Sequence, residues 1–135
     1  MEDEIQNSFL KTNEYCAIIN GLVNPKEISN GKITSYPHLE SNSFRELLTK
    51  SEFVICRSGY SSIMDVYFLQ KKVLFIPTPG QTEQEYLANH HLENHNINYQ
   101  KQGRINLENV NFNFIQLKSG TKKKLLETAL SKISL

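Results

Sequence analysis

Apolar residues along this chain gather into short runs separated by polar breaks that contain Gly, Pro or Asn, and the spacing within each run assigns an element. Ile5 to Leu10 has helical spacing. Tyr15-Cys16-Ala17-Ile18-Ile19 is continuous and ends at Asn20-Gly21, which predicts a strand and a turn. Lys32 to Tyr36 predicts a second short strand, closed by Pro37. Ser43-Phe44-Arg45-Glu46 has the spacing of a capping box and opens a helix through about Lys50. Phe53 to Cys56 predicts a strand, Ser61 to Gln70 a helix, and Val73 to Ile76 another strand. Thr82-Glu83-Gln84-Glu85 supplies a second capping box for a helix reaching roughly Asn94. Ile97 to Gln100 is one further strand, and an Asn-rich passage around Asn109 to Asn113 precedes a closing helix, Thr121 to Ile133.

The runs at 15, 53 and 73 are continuous rather than alternating, as expected of strands covered by helices on both faces. Strands separated by helices run parallel through right-handed crossovers. The expected fold is therefore α/β: a Rossmann-like open parallel sheet with helices on both faces, in three layers. Ligands of such sheets bind in the crevice outside the carboxyl ends of the strands. Two polar loops lie there, Arg57-Ser58-Gly59 after one strand and Pro77-Thr78-Pro79-Gly80 after the next.

Composition narrows the field. At 135 residues, the chain makes a single domain over 1–135 with a core large enough to need no disulfide or metal. Fifteen Lys and Arg against fourteen Asp and Glu leave a formal charge of +1, so no basic field advertises nucleic acid. Cys16 and Cys56 each fall in an apolar strand, where reduced, buried thiols are expected. The acidic start Met1-Glu2-Asp3-Glu4 lacks the regions of a signal peptide, and no run approaches a membrane span, which points to a cytoplasmic protein. Lys122-Lys123-Lys124 makes a solvated helix face that can add a weak attraction to anionic lipid, allowing peripheral membrane contact.

The first loop has chemistry suited to phosphate. Gly59 can bring backbone amides close to a ligand, and the helix beginning near Ser61 points unpaired N–H groups and a positive dipole end outward. Ser58, Ser61 and Ser62 add hydroxyls. Asp65, one turn beyond Ser61, is a poor neighbour for phosphate but can accept two hydrogen bonds from a vicinal diol such as ribose. The same residues also fit a turn glycine, helix caps and a carboxylate in a helix's first turns. His91 and His95 lie one turn apart without a third ligand or a His-Glu-x-x-His pattern, so they are expected to be exposed helix histidines and no metal site is assigned. Gly59-Tyr60-Ser61-Ser62-Ile63 lacks the final glycine of a nucleophile elbow.

The segment Arg57-Ser58-Gly59-Tyr60-Ser61-Ser62-Ile63-Met64-Asp65, followed by Phe75-Ile76-Pro77 and Glu83-Gln84-Glu85-Tyr86-Leu87-Ala88-Asn89, resembles the donor-binding, C-terminal half of GT-B glycosyltransferases, and within them the MurG-like members of family 28. The resemblance implies that Arg57, Ser58, Gly59, Ser61 and Ser62 approach a diphosphate. It implies that Asp65 holds the ribose hydroxyls, at a place where the family usually has Glu. Gln81, Gln84, Glu85 and Asn89 would contact the donor sugar, and the loop carrying Tyr36, His38 and Leu39 the base. Glu85 also stands fourth in the capping box, and Arg57 could instead pair with a carboxylate across the sheet edge.

The family's domain opens with a strand and a Gly-rich turn, whereas this sequence starts in what resembles the helix that follows. The resemblance thus implies the GT-B C-terminal half without its first strand, a fragment of a two-domain enzyme, or else a separate donor-binding subunit. The implied function is binding a nucleoside diphosphate sugar, UDP-linked, for hexosyl transfer to an acceptor held by an N-terminal acceptor-binding domain of the same or a partner chain. The donor is a substrate and no cofactor is called for. No catalytic residue is assigned in these residues, and the isolated chain is expected to be inactive. The contrasting reading is a non-catalytic nucleotide-sugar-binding subunit or scaffold module.

Overall fold

The computed structural model describes residues 1–11, 14–19, 28–29, 32–95, 97–108, 110 and 113–114, and there the continuous apolar runs become strands of two short sheets. Helix α1 (Glu2–Phe9) precedes β1 (Cys16–Ile19), and β2 (Ile28–Ser29) precedes β3 (Ile33–Tyr36). Then follow α2 (Ser41–Lys50), β4 (Phe53–Cys56), α3 (Tyr60–Phe68), β5 (Lys72–Phe75), α4 (Thr82–His95) and β6 (Asn113–Phe114).

β1 and β3 run parallel, with Cys16 opposite Ile33 and Ile19 opposite Tyr36, and β2 lies antiparallel on β3. β4 and β5 run parallel, from Phe53 opposite Lys72 to Cys56 opposite Phe75, with β6 antiparallel on β5. The α/β architecture with parallel strands is the one expected, but it is divided into the orders β1-β3-β2 and β4-β5-β6. A cleft of about 640 Å³ lies between β1 and β4, lined by Cys16 and Ile18 on one side, Phe53 and Ile55 on the other, and Phe44 and Leu47 of α2. Facing that cleft leaves α2 without a fully buried side chain.

The pleat sends alternate residues of β4 to opposite faces. Val54 and Cys56 pack with Ile63 and Val66 of α3, Val73 and Phe75 of β5, and Ala88 of α4. Phe53 and Ile55 pack on the other face with Ile5 and Phe9 of α1, Ile18, Ile33 and Ile76. Helices therefore cover both faces of β4 and β5. In β1 only one face is covered: Ile18 is buried, while Ala17 and Ile19 are exposed, so continuous hydrophobicity there did not mean two buried faces.

Both predicted capping boxes are out of register. α2 starts at Ser41 with Glu40 in the cap position and no side-chain cap, placing Ser43 inside the helix, where Glu46 pairs instead with Lys50 at i+4 (2.6 Å). α4 starts at Thr82, after Gln81, whose carbonyl accepts from the Glu85 N–H (3.1 Å). α3 stops at Phe68, short of Gln70, because Gln70 takes a left-handed φ of 51°. The segment predicted as a strand over 97–100 makes a single parallel bridge, Tyr99 to Phe75. The predicted turn at Asn20-Gly21 and helix Thr121–Ile133, with its three lysines, lie outside the described residues, as does part of Asn109–Asn113. No helix among the described residues is long and apolar enough to cross a membrane.

Candidate functional site

Because β4 and β5 are parallel and in register, the loops that leave Cys56 and Phe75 emerge side by side. In the first, Gly59 is the N-cap of α3, with ordinary extended backbone (φ −76°, ψ 152°), so its left-handed freedom is not used. A Cβ at Gly59 would meet nothing within 4 Å, and the space beside the helix start is open. No side chain among the described residues caps α3, so its first-turn N–H groups stand at that open space with the positive end of the helix dipole. Ser61 is exposed and Ser62 half-buried, and Asp65 is exposed one turn further along.

The second loop is a tight turn. Gln81 N–H bonds back to the Thr78 carbonyl (3.1 Å), with Pro79 second and Gly80 third in the turn at φ +80°. Pro followed by a left-handed Gly is what a type II turn demands. Gln84, in the first turn of α4, completes it: its Oε1 accepts from the Thr78 N–H (2.9 Å) and its Nε2 donates to Gln81 Oε1 (2.6 Å).

The two loops are tied together. Arg57 Nη1 donates to the carbonyls of Ile76 and Pro77 (3.1 Å each), and Nη2 donates to Gln102 Oε1 (2.7 Å). None of these partners is a carboxylate, and Arg57 makes no ion pair among the described residues. Ser58 is 0% exposed, and its hydroxyl donates to the Gln84 carbonyl (2.7 Å). Burial, and secondly the charge of Asp65, push the Cys56 thiol up to about 12, while burial raises Cys16 to about 11; both cysteines are free and are poor nucleophiles at neutral pH.

The cleft between β1 and β4 has Tyr36, Arg57 and Ser62 among its lining residues. His38, Leu39, Ser58, Gly59, Ser61, Asp65, Gln81, Gln84, Glu85 and Asn89 are not among the residues lining it. Glu85 is exposed and its carboxylate caps nothing among the described residues, whereas the Gln84 side chain bonds to Thr78 and Gln81. Arg57 meets carbonyls rather than the carboxylate considered as its alternative. Sequence reasoning missed Gln102; its only signal was the adjacent turn residue Gly103, which marks a loop and not a partner.

His91 corrects an expectation. It is 9% exposed, set against Phe75 with ring centroids 5.8 Å apart, and its Nδ1 has no hydrogen-bond partner among the described residues. Burial, then the nearby His95 and His90, lower it to about 4. No group of three His, Cys, Asp or Glu side chains among the described residues is arranged to hold a metal ion.

The family model described as the glycosyltransferase family 28 C-terminal domain matches residues 24–111, more than half of the chain and all of the residues just described from Tyr36 to Gln102. No curated protein and no solved structure matches significantly.

Proposed function

The chain belongs to the glycosyltransferase family 28 C-terminal domain family, which forms the nucleotide-sugar-binding half of glycosyltransferases, and from that premise we propose that it holds a UDP-sugar across the carboxyl ends of β4 and β5. The observation that carries this reading is the uncapped start of α3, open at Gly59, with the exposed carboxylate of Asp65 one turn beyond. The diphosphate lies against the first-turn N–H groups, with the Ser61 and Ser62 hydroxyls beside it, and Asp65 accepts the ribose hydroxyls. The base sits toward Tyr36, His38 and Leu39. The hexose lies toward the start of α4, where Glu85 and Asn89 are exposed and Gln81 borders the turn.

In this reading the domain's share of the chemistry is electrostatic. Transfer of the sugar leaves a diphosphate with more negative charge than it carried in the donor, and preoriented N–H groups and a helix dipole stabilise that charge without reorganising. Arg57 adds a long-range positive field although its hydrogen bonds are committed elsewhere. The acceptor is held by an N-terminal domain on the same or a partner chain, and no cofactor takes part.

Amide NMR titration tests the arrangement. UDP should shift the signals of Tyr60, Ser61 and Ser62, and UDP-glucose or UDP-N-acetylglucosamine should shift Glu85 and Asn89 in addition. Shifts confined to residues remote from the α3 start would contradict it.

A further inference from the structure

We propose that Arg57, Ser58 and Gln84 are positioning residues that lock the Pro77–Gln81 turn to the start of α3, and that this lock sets which sugar the donor site accepts. The inference rests on the nucleotide-sugar reading above.

The hydrogen bonds form a closed circuit between the two loops. Arg57 grips the carbonyls of Ile76 and Pro77, while its neighbour Ser58 grips the Gln84 carbonyl. Gln84 in turn holds the next residue of the turn, by accepting from the Thr78 N–H, and reaches Gln81. Two consecutive residues of the first loop thus fix two consecutive residues of the second, one directly and one through α4. Ser58 is fully buried and has no surface left for a ligand. The Arg57 donors in these bonds are turned to carbonyl and amide oxygens, and Nη2 extends the tie to the turn at Gln102.

A diphosphate at the start of α3 and a hexose at the start of α4 are joined covalently, so their subsites must keep one separation. The lock supplies that separation before the ligand arrives, which removes an ordering cost from binding and makes a sugar of the wrong size or epimeric form meet a turn that does not yield. A nucleotide without sugar needs only the first subsite. Its affinity should therefore depend less on the lock.

Three variants of the full chain test this: Arg57→Lys, which keeps the charge but not the fork, Arg57→Met, and Ser58→Ala. Calorimetric titrations with UDP, UDP-glucose and UDP-N-acetylglucosamine are paired with amide hydrogen exchange at Thr78 and a thermal melt. In Arg57→Lys and Ser58→Ala, the affinity loss for the preferred UDP-sugar should exceed the loss for UDP by about three- to tenfold, the value of one or two ordinary hydrogen bonds. The preference between the two sugars should narrow, and exchange at Thr78 should quicken in folded protein. Equal losses for UDP and UDP-sugar in Arg57→Met, recovered by Arg57→Lys, would make Arg57 a charge that attracts phosphate and overturn its positioning role. Unchanged Thr78 exchange in both Arg57→Lys and Ser58→Ala would overturn the lock itself. If wild type binds UDP but shows the same sugar preference as the variants, the selection is wrong while the donor reading stands. If wild type binds none of the three ligands, both are wrong.

Discussion

Ser58 and Gln84 stand 26 positions apart in the chain, yet the Ser58 hydroxyl donates to the Gln84 carbonyl across 2.7 Å at a site closed to solvent. That contact makes the start of α4 part of the same unit as the loop that precedes α3. Gln84 carries more of the load than Ser58, since its side chain also holds Thr78 and Gln81. Gln84→Ala leaves the Thr78 N–H without its acceptor and should cost about 1–2 kcal/mol in urea denaturation, against about 1 kcal/mol for Ser58→Ala. A smaller effect in Gln84→Ala than in Ser58→Ala would show that the turn holds itself.

His91 should make stability depend on pH between about 4 and 6.5. Burial, reinforced by His95 and His90, lowers it from 6.5 to about 4 in the folded protein, so across that window the unfolded chain binds the extra proton. Stability is then complete above pH 6.5 and falls as pH drops toward 4, by up to about 3 kcal/mol. Denaturant midpoints measured at pH 7, 5.5 and 4.5 should show the decline. His91→Leu should flatten it, and a slope that survives that substitution would assign the effect to other groups.

Lys71 ends α2 from outside the helix. Its Nζ donates to the carbonyls of Thr49 (2.6 Å) and Ser51 (2.7 Å), placing a cation where the last turn of α2 has carbonyls without helical partners. Lys71→Met keeps the aliphatic stem and should cost about 1–2 kcal/mol in denaturant titration. Lys50→Met, which removes an exposed ion pair with Glu46, should have no measurable effect. Equal effects from the two would show that burial around Lys71 adds nothing.

Gln70 holds φ at 51°, a region that costs a side-chain-bearing residue about 1–2 kcal/mol, at the point where α3 stops. Gln70→Gly relieves that cost but frees the unfolded chain and gives up the bond from Nε2 to the Tyr67 carbonyl. The net gain should be about 0.5 kcal/mol, a rise in melting temperature of about 2 °C. A fall in melting temperature would mean that the side-chain bond outweighs the strain.

The strands and the adjacency of the two polar loops were legible because both follow from local pattern. Phe53–Cys56 and Val73–Phe75 are unbroken apolar runs, parallel pairing follows from the intervening helix, and the loops at Arg57 and Pro77 then fall on one edge. Contacts made at a distance were not legible. Arg57 reaches carbonyls 19 and 20 residues away and an amide 45 away, and nothing in a carbonyl's own residue type announces such a partner. The capping boxes misled for a related reason: Thr82 is a better cap than Gln81 by residue type, but the Gln84 bonds to Thr78 and Gln81 set where α4 begins. β2 and β6 have two residues each, too few to show a period. His91 was hidden by its helix, in which only it and Ala88 are buried.

The central claim is that α3 presents a nucleotide site, with Asp65 on the ribose. Calorimetric titration of UDP into wild type and Asp65→Asn tests it most directly, because the substitution keeps the size of the side chain and removes its charge at an exposed position where folding is not at stake. Charge-assisted hydrogen bonds to the diol are worth about 1.5–3 kcal/mol, so wild type should bind UDP and Asp65→Asn should bind it about 10- to 150-fold more weakly. UDP binding of equal strength in the two proteins, or none by wild type at millimolar concentration, would contradict it.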